Sequence, residues 1–203
     1  EVLKKRLWQS IVIAKIKNQA ECLRLCGREN AASGLDAMAD SVRSGDTGNA
    51  EAAAAARYFP ALFEKGFTRG ADNGINAALN YGYAILRGCM ARCLAVYGFL
   101  PMLGLHHKSE LNGFNLADDM MEPFRPVVDL MVTASFDADS ELTPEAKRLL
   151  FNVLNLDILS GGQKHTVAYA MERTVHSLQR SVNRGENGLI LPQLLPLAQH
   201  SYE

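Results

Sequence analysis

The sequence predicts an all-α fold, an irregular bundle of several helices. Three observations carry this. Apolar residues recur at three- and four-residue spacing over most of the chain. Gly, Asn and Pro punctuate those runs where helices start and stop. No stretch of useful length alternates apolar and polar residues, as a half-buried strand would.

The first helix is expected over residues 2–26, with Trp8, Val12, Ile16, Leu23 and Cys26 on one side and Gly27 suited to its C-terminal cap. A short helix follows at 35–43, with Leu35, Met38 and Val42 inward. Gly45 to Asn49 reads as a loop, and Asn49 is placed to cap the helix that opens at Ala50-Glu51. That helix runs through an alanine string to Tyr58-Phe59, where Pro60 should kink it. Asn73 is a second candidate cap. Residues 75–97 then form a long helix, apolar almost all round, of the kind found at the centre of a bundle.

Gly98 ends that helix, and a loop carries Pro101, Gly104, His106 and His107. Helical spacing resumes over 115–133, where Leu116, Met120, Phe124, Val127 and Met131 line one stripe and Pro123 and Pro126 predict a kink. After an acidic loop at 136–143, Thr143-Pro144 opens a helix to about Leu154. Gly161-Gly162 precedes a last long helix at about 163–183. The helical body is therefore expected over 1–183, with 184–203 as an irregular tail. No internal repeat is visible.

With 203 residues, 48% apolar and 21% charged, the chain can bury a real core. A formal net charge of -1 excludes the strongly basic profile of a self-sufficient nucleic-acid binder, so any DNA contact needs a local patch or a partner. Apolar runs break well before 18 residues, so no membrane helix is expected. The chain opens on Glu1-Val2-Leu3-Lys4-Lys5, already in helical pattern and with no signal peptide, so a preceding segment is expected. A cytoplasmic, reduced setting suits the four cysteines. Cys22/Cys26 and Cys89/Cys93 have i,i+4 spacing that could hold zinc, but both pairs sit among Leu, Ile and Met and read better as small core residues.

Three features could carry chemistry. Glu51 falls in the first turn of its helix, where the dipole favours an ionised carboxylate; an acidic residue there is also plain good capping. His107 stands in a loop beside His106, and adjacent histidines point apart, so one of the two at most is a ligand. Asp118, Asp119 and Glu122 are expected opposite the apolar stripe of their helix, either meeting around a cation or forming a solvated acidic face relieved by Arg125. Carboxylates with an imidazole and no thiolate suit Mg²⁺ or Mn²⁺.

Several strings in this order resemble the integrase family that inserts new spacers into CRISPR arrays. They are Gly48-Asn49-Ala50-Glu51-Ala52 with Tyr58-Phe59; Asn76-Ala77-Ala78-Leu79-Asn80-Tyr81-Gly82-Tyr83-Ala84; and Pro101-Met102-Leu103-Gly104-Leu105-His106-His107. The most specific runs from Phe114-Asn115-Leu116-Ala117-Asp118-Asp119 through Met120-Met121-Glu122-Pro123-Phe124-Arg125-Pro126. Trp8 through Ala20 is similar too. The likeness covers most of residues 1–133 and looks most like the type II branch.

The resemblance implies a helical catalytic domain, without the family's N-terminal β-rich dimerisation domain. It implies metal positions at Glu51, His107 and Glu122, which also serve as the catalytic set. Asp119 becomes a supporting or alternative ligand, His106 and Lys108 border the site, and Arg125 is a candidate for phosphate contact or for holding the carboxylates. It implies that Mg²⁺ or Mn²⁺ activates the 3′-hydroxyl of a short DNA duplex against a phosphodiester at the edge of a CRISPR repeat. Water in place of that hydroxyl gives nuclease activity. The implied partners are double-stranded DNA, a second copy in a homodimer, and a dimer of the second CRISPR-associated protein. Two other readings stay open: a non-catalytic helical interaction module, and a metal-dependent phosphohydrolase of a small substrate, which needs a closed, deep pocket.

Overall fold

A computed structural model describes residues 1–201. The chain is mainly helical, with a small three-stranded sheet.

The first helix, α1 (Val2–Leu25), is buried on more than one face, with Leu7, Trp8, Ile11, Val12, Ile16, Ala20, Cys22 and Leu23 all in the core. It is the central post against which much of the fold packs. Gly27 ends it at a φ of +72°, which only glycine adopts without strain, and two bonds close the turn: Gly27 N–H to Arg24 O and Arg28 N–H to Leu23 O, both 2.8 Å. The chain re-enters a helix at once. So α2 spans Glu29–Asp40 rather than 35–43, folding back on α1 with Ala32, Leu35 and Ala39 inward.

Helix α3 (Ala50–Leu62) is capped differently from expectation. Asn49 sits in the left-handed region and makes no side-chain cap. The Asp46 carboxylate instead accepts from Ala50 N–H (2.7 Å) and Glu51 N–H (3.0 Å). Pro60 lies in the last turn and the helix stops two residues later. Helix α4 (Gly74–Val96) begins at Asn73, whose Oδ1 accepts from Asn76 N–H at 2.9 Å. It presses on the next layer at Gly82, where an added Cβ would stand 2.4 Å from Val128 Cγ1.

The expected 115–133 helix is three pieces: α5 (Asn115–Met121), a 3₁₀ turn (Glu122–Phe124) and α6 (Arg125–Ser135). Pro123 and Pro126 each fall in the opening turn of a new piece, where a missing N–H is harmless. Of the two alternatives for the acidic residues, the solvated face is absent: every residue from Asn115 to Val132 is buried except the half-buried Arg125. Helix α7 (Pro144–Phe151) starts at Thr143, whose Oγ1 accepts from Ala146 N–H, and runs into a 3₁₀ turn to Asn155.

The all-α expectation needs correction at 157–166. Strands β1 (Asp157–Ser160) and β2 (Gln163–Thr166) form an antiparallel hairpin. Gly161 and Gly162, at φ +61° and +80°, make its two-residue turn. Helix α8 (Val167–Arg184) therefore begins at Val167, capped by Thr166, not at 163. The segment after it, expected to be irregular, supplies β3 (Pro192–Gln193), which pairs with the other edge of β1.

Candidate metal centre

Along α1, Trp8, Ile11, Lys15, Asn18 and Cys22 recur at three- and four-residue spacing, so one stripe of this helix carries two polar side chains among apolar ones. Each of the polar two, and Trp8 above them, meets a part of the candidate site.

Lys15 comes first. Its Nζ donates to Glu51 Oε1 and lies 2.5 Å from Glu122 Oε2. One ammonium thus joins carboxylates from α3 and from the 3₁₀ turn after α5. The side chains of Lys15 and Glu122 are 6% and 4% exposed, against 29% for Glu51, so the cluster opens to solvent on the Glu51 side. Arg125 Nη2 holds the other Glu122 oxygen at 3.0 Å. Burial alone would raise the Glu122 pKa, but Arg125 and Lys15 outweigh it and hold the carboxyl below its usual range. Burial likewise opposes the charge on Lys15, and Glu122 and Glu51 overcome it, so its pKa is raised. The result is an arrangement of two carboxylates and two cations, buried at Lys15 and Glu122 and open at Glu51.

Asp119 organises the histidine loop. Fully buried, it accepts from His106 N–H at Oδ2 (2.8 Å) and from His107 N–H at Oδ1 (3.3 Å). His107 Nδ1 stands 2.5 Å from the same Oδ1. That contact raises the His107 pKa against partial burial. With Nδ1 turned to a carboxylate, Nε2 is the nitrogen left for a ligand, the usual arrangement of a metal-binding histidine. His106 stacks flat on Trp8, ring centroids 4.4 Å apart and planes within 4°. Gly104 lets the loop close on this group: an added Cβ would meet His107 O at 2.3 Å and Asp119 Oδ2 at 2.9 Å. Lys108 is exposed and, with His107 and Lys4, lines an open hollow of about 510 Å³.

The three neighbouring acids therefore do not share one cation. Asp118 turns to Arg87 Nε (2.7 Å) and Asn112 Nδ2 (2.8 Å), Asp119 to the loop, and Glu122 to Lys15 and Arg125. Adjacent positions on α5 aim Asp118 and Asp119 apart, Glu122 lies beyond the break in the 3₁₀ turn, and a separate partner for each relieves the repulsion that their spacing implies. Of the expected ligands, the structure joins Glu51 and Glu122 through Lys15, while His107 is held by Asp119. Among the described residues, no three His, Cys, Asp or Glu side chains gather closely enough to share one ion as they stand, and the four cysteines are free.

The donor chemistry nonetheless fits a hard divalent cation. A positive charge already sits between two carboxylates, and Glu122 Oε2, though close to Lys15, has no hydrogen bond of good geometry. Oxygen donors with one imidazole suit Mg²⁺ or Mn²⁺ better than a thiophilic metal.

The model of the family "CRISPR associated protein Cas1" matches residues 3–145. The chain belongs to the Cas1 family. The CRISPR-associated endonuclease Cas1 of Neisseria meningitidis serogroup C is 49% identical over 207 residues, covering 100% of this chain and 68% of that protein. Among solved structures, a casposase bound to integration product shares the fold with a TM-score of 0.72 at 20% identity, over 92% of this chain and 62% of its own. A partial Cas6-RT-Cas1–Cas2 complex does so with a TM-score of 0.73 at 20% identity, over 91% and 67%. The chain thus spans roughly two thirds of each, 68%, 62% and 67%. No helix of the described residues is long and apolar enough to cross a membrane.

Sequence reasoning missed three residues that build this candidate site. Lys15 and Asn18 were legible as polar positions inside the apolar stripe of α1. Asn18 Nδ2 donates to Pro123 O (2.7 Å) and Pro192 O (3.0 Å), and its Oδ1 accepts from Leu194 N–H (3.0 Å). It clips the strand β3 to the turn that carries Glu122. Asp129, buried beneath α4, accepts from Tyr58 OH (2.9 Å) and Tyr83 OH. Burial pushes its pKa up to about 6. Arg125 lies over the Tyr83 ring, 4.9 Å from its centroid, so this network supports the cation that holds Glu122.

Proposed function

We propose that this chain is the catalytic region of a metal-dependent DNA integrase and endonuclease of CRISPR adaptation. The single observation that carries the proposal is the meeting of Glu51 and Glu122, from elements far apart in sequence, around one positive charge. Membership of the Cas1 family and the endonuclease name of the Neisseria relative support it.

In this reading Glu51, His107 and Glu122 hold Mg²⁺ or Mn²⁺, which would activate a DNA 3′-hydroxyl or a water and offset the charge building on phosphorus. Asp119 sets the His107 ring, so that Nε2 rather than Nδ1 faces the ion. Arg125 keeps Glu122 ionised inside the protein. Lys4 and Lys108 flank His107 where a phosphodiester backbone would pass. The hollow at His107 is open, which favours a polymer over the closed pocket of a small-molecule phosphohydrolase. A homodimer and a dimer of the Cas2 protein complete the proposed assembly, in keeping with the Cas1–Cas2 complex that shares the fold.

The test is strand transfer of a short duplex with free 3′-hydroxyls into a CRISPR repeat by the full-length protein in Mn²⁺. Glu51→Gln, His107→Ala and Glu122→Gln should each lower the rate by about 10²-fold or more while circular dichroism stays unchanged. Retention of transfer by any one removes that residue from the set, and retention by all three ends the proposal. A second reading, a helical interaction module, draws on Lys15 already neutralising both carboxylates. It predicts no saturable Mn²⁺ binding.

A further inference from the structure

Lys15 is buried in α1, yet it is the residue that occupies the space between Glu51 and Glu122. An ammonium and a divalent ion cannot both sit between the same two carboxylate oxygens: each needs those lone pairs, and at such separations like charges repel strongly in a water-poor setting. The cluster also divides its work unevenly. Glu122 keeps a second cation, Arg125 at 3.0 Å, whichever ion lies on its other oxygen. Among the described residues, Glu51 has no ion-pair partner other than Lys15.

We propose that Lys15 is a resident counter-ion that holds Glu51 and Glu122 together before a divalent cation arrives, and that it must withdraw from between them when the cation binds. The inference rests on the reading of Glu51 and Glu122 as metal ligands. It adds that the metal is bound by exchange for an internal ammonium, not by filling a preformed anionic cup. Lys15 is thus a positioning residue that keeps two carboxylates from separate elements in register. It also weakens the measured metal affinity, because part of the carboxylate attraction must first be given up by the lysine.

The exposures agree with an exchange from one side. Of Lys15, Glu51 and Glu122, the Glu51 side chain is the most open at 29%, so an ion reaches the pair at Glu51. The flexible four-carbon stem of lysine can swing its head without moving α1, which an arginine fork at this position would do less readily.

The experiment measures Mn²⁺ binding by electron paramagnetic resonance and thermal stability with and without Mn²⁺, for the full chain and for Lys15→Met. Expected is a binding constant at least about tenfold tighter in the variant. The variant should also melt lower than wild type without metal, and gain more from Mn²⁺. Lys15→Gln, which can still donate to both carboxylates, guards against failure of the Met variant to fold and should fall between the two. Equal or weaker Mn²⁺ binding by both variants, with wild type binding normally, overturns the exchange and leaves the metal site standing. No Mn²⁺ binding by wild type or either variant overturns the metal reading and the exchange with it.

Discussion

Asp119→Asn is the smallest change that should unfasten the histidine loop. The carboxylate is fully buried and accepts three donors, two at Oδ1 and one at Oδ2. An amide keeps one acceptor oxygen. If that oxygen serves His107, the new NH₂ faces His106 N–H at a position where the two atoms now stand 2.8 Å apart, donor against donor. Leaving one buried N–H without an acceptor costs about 1–3 kcal/mol, and losing the charge on the remaining bonds costs about 1 kcal/mol more. The sum is about 2–4 kcal/mol, which for a chain of this size lowers the melting temperature by about 4–16 °C.

A second readout separates loop damage from general damage. The Asp119 contact is the main reason that the His107 pKa is raised, so the His107 titration followed by NMR in metal-free protein should move down. The linkage has a definite sign. A histidine with a raised folded-state pKa contributes stability that is complete below its unfolded value of about 6.5 and fades as pH rises through the folded value. The variant should lose that window. A variant within about 0.5 kcal/mol of wild type, with the His107 titration unmoved, would refute the role given to Asp119.

Three further outcomes are expected. Asn18→Ala removes three buried hydrogen bonds and should cost about 2–4 kcal/mol in urea unfolding, with faster hydrogen exchange at the Leu194 amide. Gly82→Ala should cost about 1–3 kcal/mol by overpacking against Val128, and Val128→Ala in the same chain should recover part of it, a coupling that a double-mutant cycle reads directly. Asp129 has its pKa raised from 3.8 to about 6, so its ionisation opposes folding: stability from this group is greatest below 3.8 and is lost as pH rises to 6. Asp129→Asn should therefore gain on wild type over that interval, by on the order of 2–3 kcal/mol, in denaturation curves taken across pH.

Periodicity made the long helices legible because α1, α4 and α8 are long enough for a 3.6-residue repeat to show. It failed at 157–166, where two four-residue strands are too short to display alternation. The Gly161-Gly162 pair, read before as a helix boundary, was the hairpin signal: a two-residue turn with positive φ at both positions. At the acidic run, the solvated-face alternative fails because Asp118, Asp119 and Glu122 are themselves buried and each meets a partner from another part of the chain. Partners such as Lys15 and Arg87 are far away in sequence, and nothing local announces them. The family resemblance named Glu51, His107 and Glu122, but not the lysine between two of them.

Trp8, Lys15 and Asn18 share one rigid rod, with the first two separated by two helical turns, about 10 Å. Histidine platform, carboxylate pair and C-terminal strand are thereby all gauged from a common axis. Inserting a single residue between Trp8 and Lys15 would rotate one contact by about 100° relative to the other. The count of residues along this rod therefore sets how the three contacts stand relative to one another.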